Sequence, residues 1–261
     1  MDRFSKEVNI ISNFQDESIP FVLFPVVNRE VRLIFSSIYK RKNWKYWIDT
    51  SGKNDPPPDF YNKDLKLMMD VMRVDDHEYI SAKGKTVNEE RRIESQAYAE
   101  LRVRGVLDRI DPSLIYIDVH SNLPTDEDHN FTRYIECFTR TIEKHKCKIK
   151  NYKKNHPGYK IIFFILDESS AYFEIAENVK PNIKKGEIAQ GRPHIHFLDR
   201  QFLQVIDHSE IDYLIWYAPY KMINLEGGNV YDMPRAAIYD CSQMDFECLE
   251  YDNNRLVSVE E

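Results

Sequence analysis

Two long helical segments, each followed by an apolar run, constrain the fold of this chain more than any other feature. Residues 86–110 (TVNEERRIESQAYAELRVRGVLDRI) and 130–155 repeat apolar side chains at helical spacing, and Asn88 can cap the first of them. The runs at 113–121 (SLIYIDVHS) and 159–169 (YKIIFFILDES) are typical of buried strands. Buried strands that alternate with long helices predict an α/β fold, in which helices flank both faces of a mixed β-sheet.

The first half of the chain predicts a more specific order of elements. Residues 28–41 should form a helix, because Asn28 can cap it and its apolar side chains share one face. Three short strands then follow as a meander, with a turn at residues 62–64 before the last of them: KYWIDT, DFYN and LKLMMDVMRV. The predicted order is therefore helix, three-stranded meander, helix, strand.

The second half of the chain predicts fewer elements. Residues 200–206 (RQFLQVI) should form a short helix, and residues 211–220 (IDYLIWYAPY) a buried strand. From Gly227 onwards the pattern predicts only a hairpin or a cap, and residues 252–261 are expected to fray. We expect a single domain, with a core at about 20–120 and an extension of the same sheet at about 121–261.

Composition excludes several classes of protein. The net charge of -7 argues against a protein that coats nucleic acid regardless of sequence, since such proteins need a broad cationic face. Neither G-x-x-x-x-G-K-[ST] nor G-x-G-x-x-G occurs, which excludes nucleotide-binding enzymes of those types. No apolar run approaches the roughly 20 residues that cross a bilayer. The cysteines show no C-x-x-C spacing and no apolar signal segment precedes them, so we expect a reduced, cytoplasmic protein without a membrane partner.

An acidic residue interrupts the apolar run LMMDVMRV at residues 67–74. A charge among methionines and valines is costly unless it is paired, so Asp70 needs a partner. Counting outwards from the turn at 62–64 places Asp59 opposite the region around Asp70 on the neighbouring strand. Opposed side chains lie about 4.5–5.5 Å apart at Cβ, and like charges placed in this way destabilise a sheet.

Three arrangements would offset this repulsion. A cation lies between the two carboxylates, or one carboxyl is protonated with a raised pKa, or the two face apart in a different register. Mg²⁺ or Mn²⁺ is the chemical reason to hold two carboxylates together, because such ions prefer oxygen ligands and keep waters that can act as nucleophiles. Structural roles stay open as well, with Asp59 as a turn residue after the prolines and Asp70 as an acceptor from a backbone amide.

This arrangement of elements and acids resembles that of the PD-(D/E)-X-K nuclease superfamily. The resemblance covers residues 28–120 and is carried by Pro58 and Asp59 before the second strand of the meander and by Asp70 in the third. It implies a restriction-endonuclease-like core, hydrolysis of phosphodiesters with Mg²⁺ or Mn²⁺, and nucleic acid as the partner. It also implies that Asp59 and Asp70 bind the metal and that Glu30, on the first helix, assists them.

The chain departs from that pattern at residue 72, which is Met where the family has a lysine. Met72 cannot accept a proton, so the group that activates water is not assigned. Lys83 and Lys85 in SAKGK, or Gln96 on the next helix, are the candidates nearest in sequence to replace the lysine. If none of them reaches the acids, the resemblance implies a binding protein or an inactive relative.

Histidines give a second hypothesis. His194 and His196 in PHIHFLD share one face if that segment is a strand, and Asp118 and His120 do the same in IYIDVHS. Together they could bind Zn²⁺, Fe²⁺ or Mn²⁺ in a hydrolase of small substrates. A third hypothesis is a catalytically inactive protein that binds another protein through its aromatic strands and acidic surface.

Several other polar segments follow or connect the predicted strands. The acidic run RVDDHEY at 73–79 follows a strand end, where α/β sheets place functional loops, but a charged run is more typical of a solvated loop. Asp167, Glu168 and Ser169 could join a site at the sheet edge, although capping of a helix over SSAYFEIAE explains Asp167 and Ser169 as well. Residues 39–47 (YKRKNWKYW) and 144–156 (KHKCKIKNYKKNH) interleave cations with aromatic rings, which is typical of surfaces that bind nucleic acid. If the chain is a nuclease, one of these basic segments should flank the acidic pair.

Overall fold

The computed structural model of the chain describes residues 7–15, 19–51, 58–109, 129–177, 190–207, 209–224 and 230–259. Its helices are α1 (Glu7–Phe14), α2 (Arg29–Tyr39), α3 (Arg41–Trp44), α4 (Glu89–Val103), α5 (Phe131–Asn155) and α6 (Arg200–Ile206). Its strands are β1 (Phe21–Phe24), β2 (Trp47–Asp49), β3 (Phe60–Asn62), β4 (Leu67–Val74), β5 (Tyr79–Ile80), β6 (Thr86–Val87), β7 (Lys160–Asp167), β8 (Tyr172–Ile175), β9 (Gly191–Pro193), β10 (Tyr213–Tyr217), β11 (Met222–Asn224), β12 (Val230–Asp232), β13 (Ala236–Asp240) and β14 (Leu256–Ser258). None of the described helices combines the length and the apolar character needed to cross a bilayer.

Seven strands form one mixed β-sheet in the order β1-β13-β10-β7-β4-β3-β2. At its centre β4, β7 and β10 run parallel, while β13 is antiparallel to β10 and parallel to β1. At the other end β2, β3 and β4 form the predicted antiparallel meander. Parallel strands need crossover connections, and α5 and α6 lie in the two crossovers. The α/β fold with a mixed sheet that the sequence predicts is confirmed.

The side chains of β4 alternate between two apolar cores, one on each face of the sheet. Met68 and Met72 pack in the core that contains residues of α5 and α6. Met69 and Val71 pack in the other core, with residues of α1 and α2. Asp70 lies two residues from both Met68 and Met72, so its side chain points to the α5 face. The alternation therefore decides which helix can supply its partners.

Three local sequence signals of the first half are confirmed. The side chains of Asn28 and Asn88 cap α2 and α4 by accepting hydrogen bonds from backbone N–H groups. At the predicted turn, Asn62 accepts hydrogen bonds from the N–H groups of Asp64 and Leu65. This local turn fixes the register of β3 against β4, because it sets where the chain reverses.

The second half contains more regular structure than the sequence predicts. Residues 236–240 (AAIYD) form β13, a buried strand inside the sheet, although two alanines and a short length give them little strand signal. Residues 253–258, expected to fray, form a 3₁₀ turn and then β14, which pairs with β8. The helix expected over SSAYFEIAE is wrong, because residues 172–175 form β8. The strand predicted at 113–121 lies outside the described residues.

Candidate active site

Asp59 and Asp70 lie opposite each other, as the sequence predicts. Phe60 pairs with Met69 in the antiparallel ladder of β3 and β4, so the next position brings Asp59 against Asp70. The two carboxyl groups are close enough for the negative charge of Asp70 to act on Asp59. Asp59 Oδ2 also accepts a hydrogen bond from the N–H group of Val71 at 2.7 Å. A register in which the two acids face apart is therefore excluded.

A proton on Asp59 offsets the repulsion between the two groups. Burial and the negative charge of Asp70 raise the pKa of Asp59 to about 8, so this carboxyl is protonated at neutral pH. Burial also opposes ionisation of Asp70, but the hydrogen bond from His145 and the positive charges of His145 and Lys148 hold its pKa below the usual value. The pair thus consists of one neutral carboxyl and one carboxylate, which is the second of the predicted arrangements.

One face of α5 supplies the partners of Asp70. His145 Nδ1 lies 2.5 Å from Asp70 Oδ2, and the Tyr152 hydroxyl donates to the same oxygen at 3.1 Å. His145, Lys148 and Tyr152 are spaced by three and four residues, so they share one face of the helix. All three belong to the basic segment at 144–156, one of the two that the nuclease hypothesis predicts beside the acidic pair. Under these side chains Asp70 is only 3% exposed.

A cleft of about 570 Å³ opens next to the acidic pair; its lining includes Val71 and His145, which contact the two acids, but not the acids themselves. It forms because β3 pairs only with residues 67–69, so the rest of β4 has no described strand next to it on this side. The residues that matter for its chemistry are Glu7 from α1, Met72 and Arg73 from β4, and Arg140, Lys144 and His145 from α5. The imidazole that binds Asp70 therefore also lines an open cleft.

The cleft combines a third carboxylate with several cations. Glu7 lies near enough to Asp59 for its negative charge to contribute to the raised pKa of that group. Arg73 and Arg140 each bind a carboxylate on a neighbouring segment, whereas Lys144 is exposed. Carboxylates that converge next to cations are the pattern of a site that holds both a divalent cation and a phosphate group.

Glu30, the third acid that the resemblance implies, does not lie at this pair. Glu30 lies on α2, which packs against the opposite face of the sheet, and it forms an exposed ion pair with a lysine of β7. Lys83 and Lys85 lie in the exposed turn between β5 and β6, and Thr86, next to Lys85, lines the cleft. Their role as replacements for the lysine stays a prediction, while the cations that lower the pKa of Asp70 come from α5. The helix acid near the pair is instead Glu7, which the sequence reasoning missed. Its place in the first turn of a helix before the meander is the signal that could have found it.

The histidines of PHIHFLD are buried in the core and are not presented on a strand. Strand β9 ends before His194, and His196 begins a 3₁₀ turn, so the prediction of two histidines on one face of a strand is wrong. His194 Nε2 lies 2.7 Å from Asp199 Oδ2, and both side chains are buried. Asp118 and His120, the other members of that hypothesis, lie outside the described residues.

The acidic run after β4 is also buried, so the prediction of a solvated loop is wrong for Asp75 and Asp76. Asp75 accepts hydrogen bonds from the N–H group of Glu78 and from the side chains of Asn88 and Arg91. These bonds join the end of β4 to the start of α4. The run is buried because it follows the central strand β4 directly, a position that local composition does not reveal.

No family model, curated protein or solved structure matches the chain. The resemblance to the PD-(D/E)-X-K nucleases therefore stays a prediction, carried by the order of the elements and by the two aspartates.

Proposed function

We propose that this protein is a divalent-metal-dependent hydrolase of phosphodiesters, with its active site beside the cleft between α1, β4 and α5. One observation carries the proposal: Asp59 and Asp70 face each other on neighbouring strands, next to a cleft lined by a third carboxylate and by cations. The acids suit a metal ion, and the cations suit the phosphate groups of a nucleic acid.

The residues fit an ion such as Mg²⁺ or Mn²⁺. Asp59, Asp70 and Glu7 offer only oxygen atoms, which hard divalent cations prefer. Asp59 holds a proton at neutral pH, and a cation between the carboxylates would take the place of that proton. Bound there, the ion would polarise a phosphoryl oxygen and lower the pKa of a water ligand. Metal affinity should therefore increase as the pH rises towards 8.

We assign proton transfer to His145, in place of the lysine that the family carries at residue 72. Met72 lines the cleft but has no group that accepts a proton. His145 lines the same cleft, and its Nδ1 is held by Asp70, which orients the ring and leaves Nε2 to exchange protons. Lys148 adds a positive charge near Asp70. Both functions of the missing lysine, its charge and its proton chemistry, thus come from α5.

The cations of α5 support nucleic acid as the substrate. Lys144 is exposed in the lining of the cleft, and Lys148 follows one turn later. Further lysines continue towards the end of the helix: Lys150, Lys153 and Lys154. A local basic surface is compatible with the net charge of -7, because salt limits the reach of each exposed charge to about 8–10 Å.

Hydrolysis assays with Mg²⁺ and Mn²⁺ test the proposal. We expect the wild type to hydrolyse bis(p-nitrophenyl) phosphate, or single-stranded DNA or RNA. The rate should fall at least about 100-fold in Asp70→Asn, because metal catalysis lowers the barrier by several kcal/mol. Glu30→Gln is the matched control: it also neutralises one acid, but on the opposite face of the sheet, and should keep full activity. Turnover that depends neither on metal nor on Asp70, or an inactive wild type, would contradict the proposal.

A non-catalytic protein that binds nucleic acid in the same cleft is the second candidate. Met72 favours it, because an apolar side chain that is 3% exposed stands where the family has its lysine. In this case the wild type binds a labelled oligonucleotide in fluorescence anisotropy but does not cleave it with either metal. Lys144→Glu should weaken that binding, because it reverses an exposed charge in the cleft.

A further inference from the structure

A second group of metal-ligand side chains lies at the carboxyl end of β4. Asp76 and His77 follow that strand, and His129 comes shortly before the first residue of α5. One carboxylate oxygen and one nitrogen of each imidazole lie within 4.8 Å of one another. The carboxyl edge of parallel strands is where α/β sheets place their functional groups. These residues neither belong to the acidic pair nor line the cleft.

One oxygen of Asp76 is fully satisfied by hydrogen bonds. Asp76 is 0% exposed, and its Oδ2 accepts from the backbone N–H of Ser170 at 3.1 Å, from the Ser170 hydroxyl and from the Tyr172 hydroxyl at 2.6 Å. These three donors fix the carboxylate in one orientation. The second oxygen, Oδ1, consequently lies close to the imidazoles of His77 and His129.

Oδ1 of Asp76 accepts no hydrogen bond from the residues that the structure describes. The nearest nitrogens are His77 Nε2 at 3.5 Å and His129 Nδ1 at 3.6 Å. Both distances exceed the range of about 2.7–3.2 Å that N–H···O hydrogen bonds occupy. A buried carboxylate oxygen without a donor is costly, so this atom points to a ligand that the three side chains share.

The separations match those between the ligands of a tetrahedral ion. Ligand atoms at about 2.0–2.1 Å from Zn²⁺ lie roughly 3.4 Å apart at the tetrahedral angle. The two distances from Asp76 Oδ1 are close to this value, and Glu90 Oε2 lies 3.2 Å from His77 Nε2. Two imidazoles favour Zn²⁺, whereas Mg²⁺ prefers oxygen ligands alone.

We propose that Asp76, His77 and His129 bind one Zn²⁺ ion. Glu90, whose carboxylate is close to His77 but outside this group of three, completes the tetrahedron by turning towards the bound ion. The ion joins three segments, the end of β4, the first turn of α4 and the start of α5. Four protein ligands leave no open position for substrate, so the site is structural. The ligands and the ion of this zinc site differ from those proposed for the cleft, so the zinc proposal does not depend on the hydrolase proposal.

Metal analysis followed by a competition titration tests the site. The wild type, purified without chelator, should contain one equivalent of zinc, and the stripped protein should take up Zn²⁺ from a chromophoric chelator. His129→Ala should bind at least about 100-fold more weakly, because even the loss of a residue behind a metal ligand costs about 10–100-fold. The control His156→Ala removes another imidazole near the end of α5 and should bind like the wild type. A wild type that takes up no zinc, or equal affinity in His129→Ala, would overturn the proposal.

A second variant keeps the test valid if His129→Ala fails to fold. Glu90 lies in the first turn of α4 and is half-buried, so Glu90→Gln should fold normally and bind Zn²⁺ about 10-fold more weakly.

Co²⁺ in place of Zn²⁺ should give the intense visible bands of tetrahedral coordination in the wild type and a changed spectrum in Glu90→Gln. Weak octahedral bands, or identical spectra, would remove the four-ligand site. Asp70→Asn should bind Zn²⁺ normally, so failure of the hydrolase proposal would leave this result unchanged.

Discussion

Asp70 lies in the middle of β4, and Asp76 lies two residues after the end of this strand. Both carboxyl groups are almost completely buried, yet the protein stabilises them in different ways. In the middle of the strand, Asp70 is held by an imidazole and a hydroxyl from the helix above it, while its neighbour Asp59 keeps a proton. At the end of the strand, Asp76 is held by donors from the segment that follows β7, and one oxygen is left close to His77 and His129. Mid-strand, an imidazole from a helix stabilises the carboxylate; at the strand end, neutral N–H and O–H donors from Ser170 and Tyr172 do so.

The comparison also separates two kinds of chemistry. The acidic pair of Asp59 and Asp70 lies next to an open cleft. The charge of this pair changes with pH, because the pKa of Asp59 is about 8. At the Asp76 end the negative charge is fixed, because the hydrogen bonds and the imidazoles hold the pKa of Asp76 well below its usual value despite complete burial. An adaptable, open site suits catalysis, and a rigid, closed one suits a structural ion.

The largest expected effect is the loss of stability in Asp76→Ala. The change leaves the Ser170 and Tyr172 donors without their buried acceptor and the imidazoles without their counter-charge. We expect the free energy of unfolding to fall by about 3–5 kcal/mol in urea denaturation with a chelator present. A loss below about 1 kcal/mol would mean that the strand end does not depend on this carboxylate.

Asp70→Asn should cost less, about 1–2 kcal/mol in the same measurement. The variant loses the ion pair with His145, but it also removes the negative charge that, together with burial, raises the pKa of Asp59. The pKa of Asp59 should therefore fall towards the ordinary carboxyl value, which carbon NMR of the carboxyl groups can follow. A cost equal to that of Asp76→Ala would break the distinction between the two ends of β4.

The pH dependence of stability sharpens the same distinction. The pKa of Asp59 is about 8 in the folded protein and near 3.8 in an ordinary carboxyl. Between these values the folded state binds a proton that the unfolded state does not, so the stabilising contribution present below pH 4 is lost as the pH rises through 8. Relative to Asp59→Asn, the wild type should thus lose about 1 kcal/mol between pH 6 and 7, close to the limit of roughly 1.4 kcal/mol per pH unit. A constant difference across this range would mean that Asp59 is ionised throughout.

The smallest effect belongs to Glu30→Gln, on the face of the sheet away from both aspartates. Glu30 forms an exposed ion pair with Lys160, and such pairs contribute about 0–1 kcal/mol. The midpoint of urea denaturation should hardly move, and metal binding should not change. A large loss of metal affinity in this variant would instead support the helix acid that the family resemblance implies.

Local sequence signals predicted the part of the site that depends on local contacts. The turn at Asn62 sets the register of β3 and β4, so the opposition of Asp59 and Asp70, only eleven residues apart, followed from counting. The apolar neighbours of Asp70 made its burial visible as well. Short-range hydrogen bonds and strand alternation are enough to reach this level.

The remaining features depend on contacts between distant segments. His145 meets Asp70 across 75 residues, and its contact depends on which turn of α5 packs over β4. Asp76 looked like part of a solvated loop, because its neighbours in sequence are polar, and only the sheet position of β4 buries it. Strand β13 lacks a sequence signal of its own, since its burial comes from lying between β1 and β10. No local pattern encodes these placements.

Calorimetric titration of Mn²⁺ tests the central claim most directly. It compares the wild type, Asp70→Asn and Glu30→Gln at low salt and pH 8, where Asp59 has lost about half of the proton that competes with the metal, with one equivalent of Zn²⁺ already added. Binding to the wild type and to Glu30→Gln that is lost in Asp70→Asn is the result we predict. Equal binding in all three proteins, or no binding to the wild type, would contradict a metal site at Asp59 and Asp70.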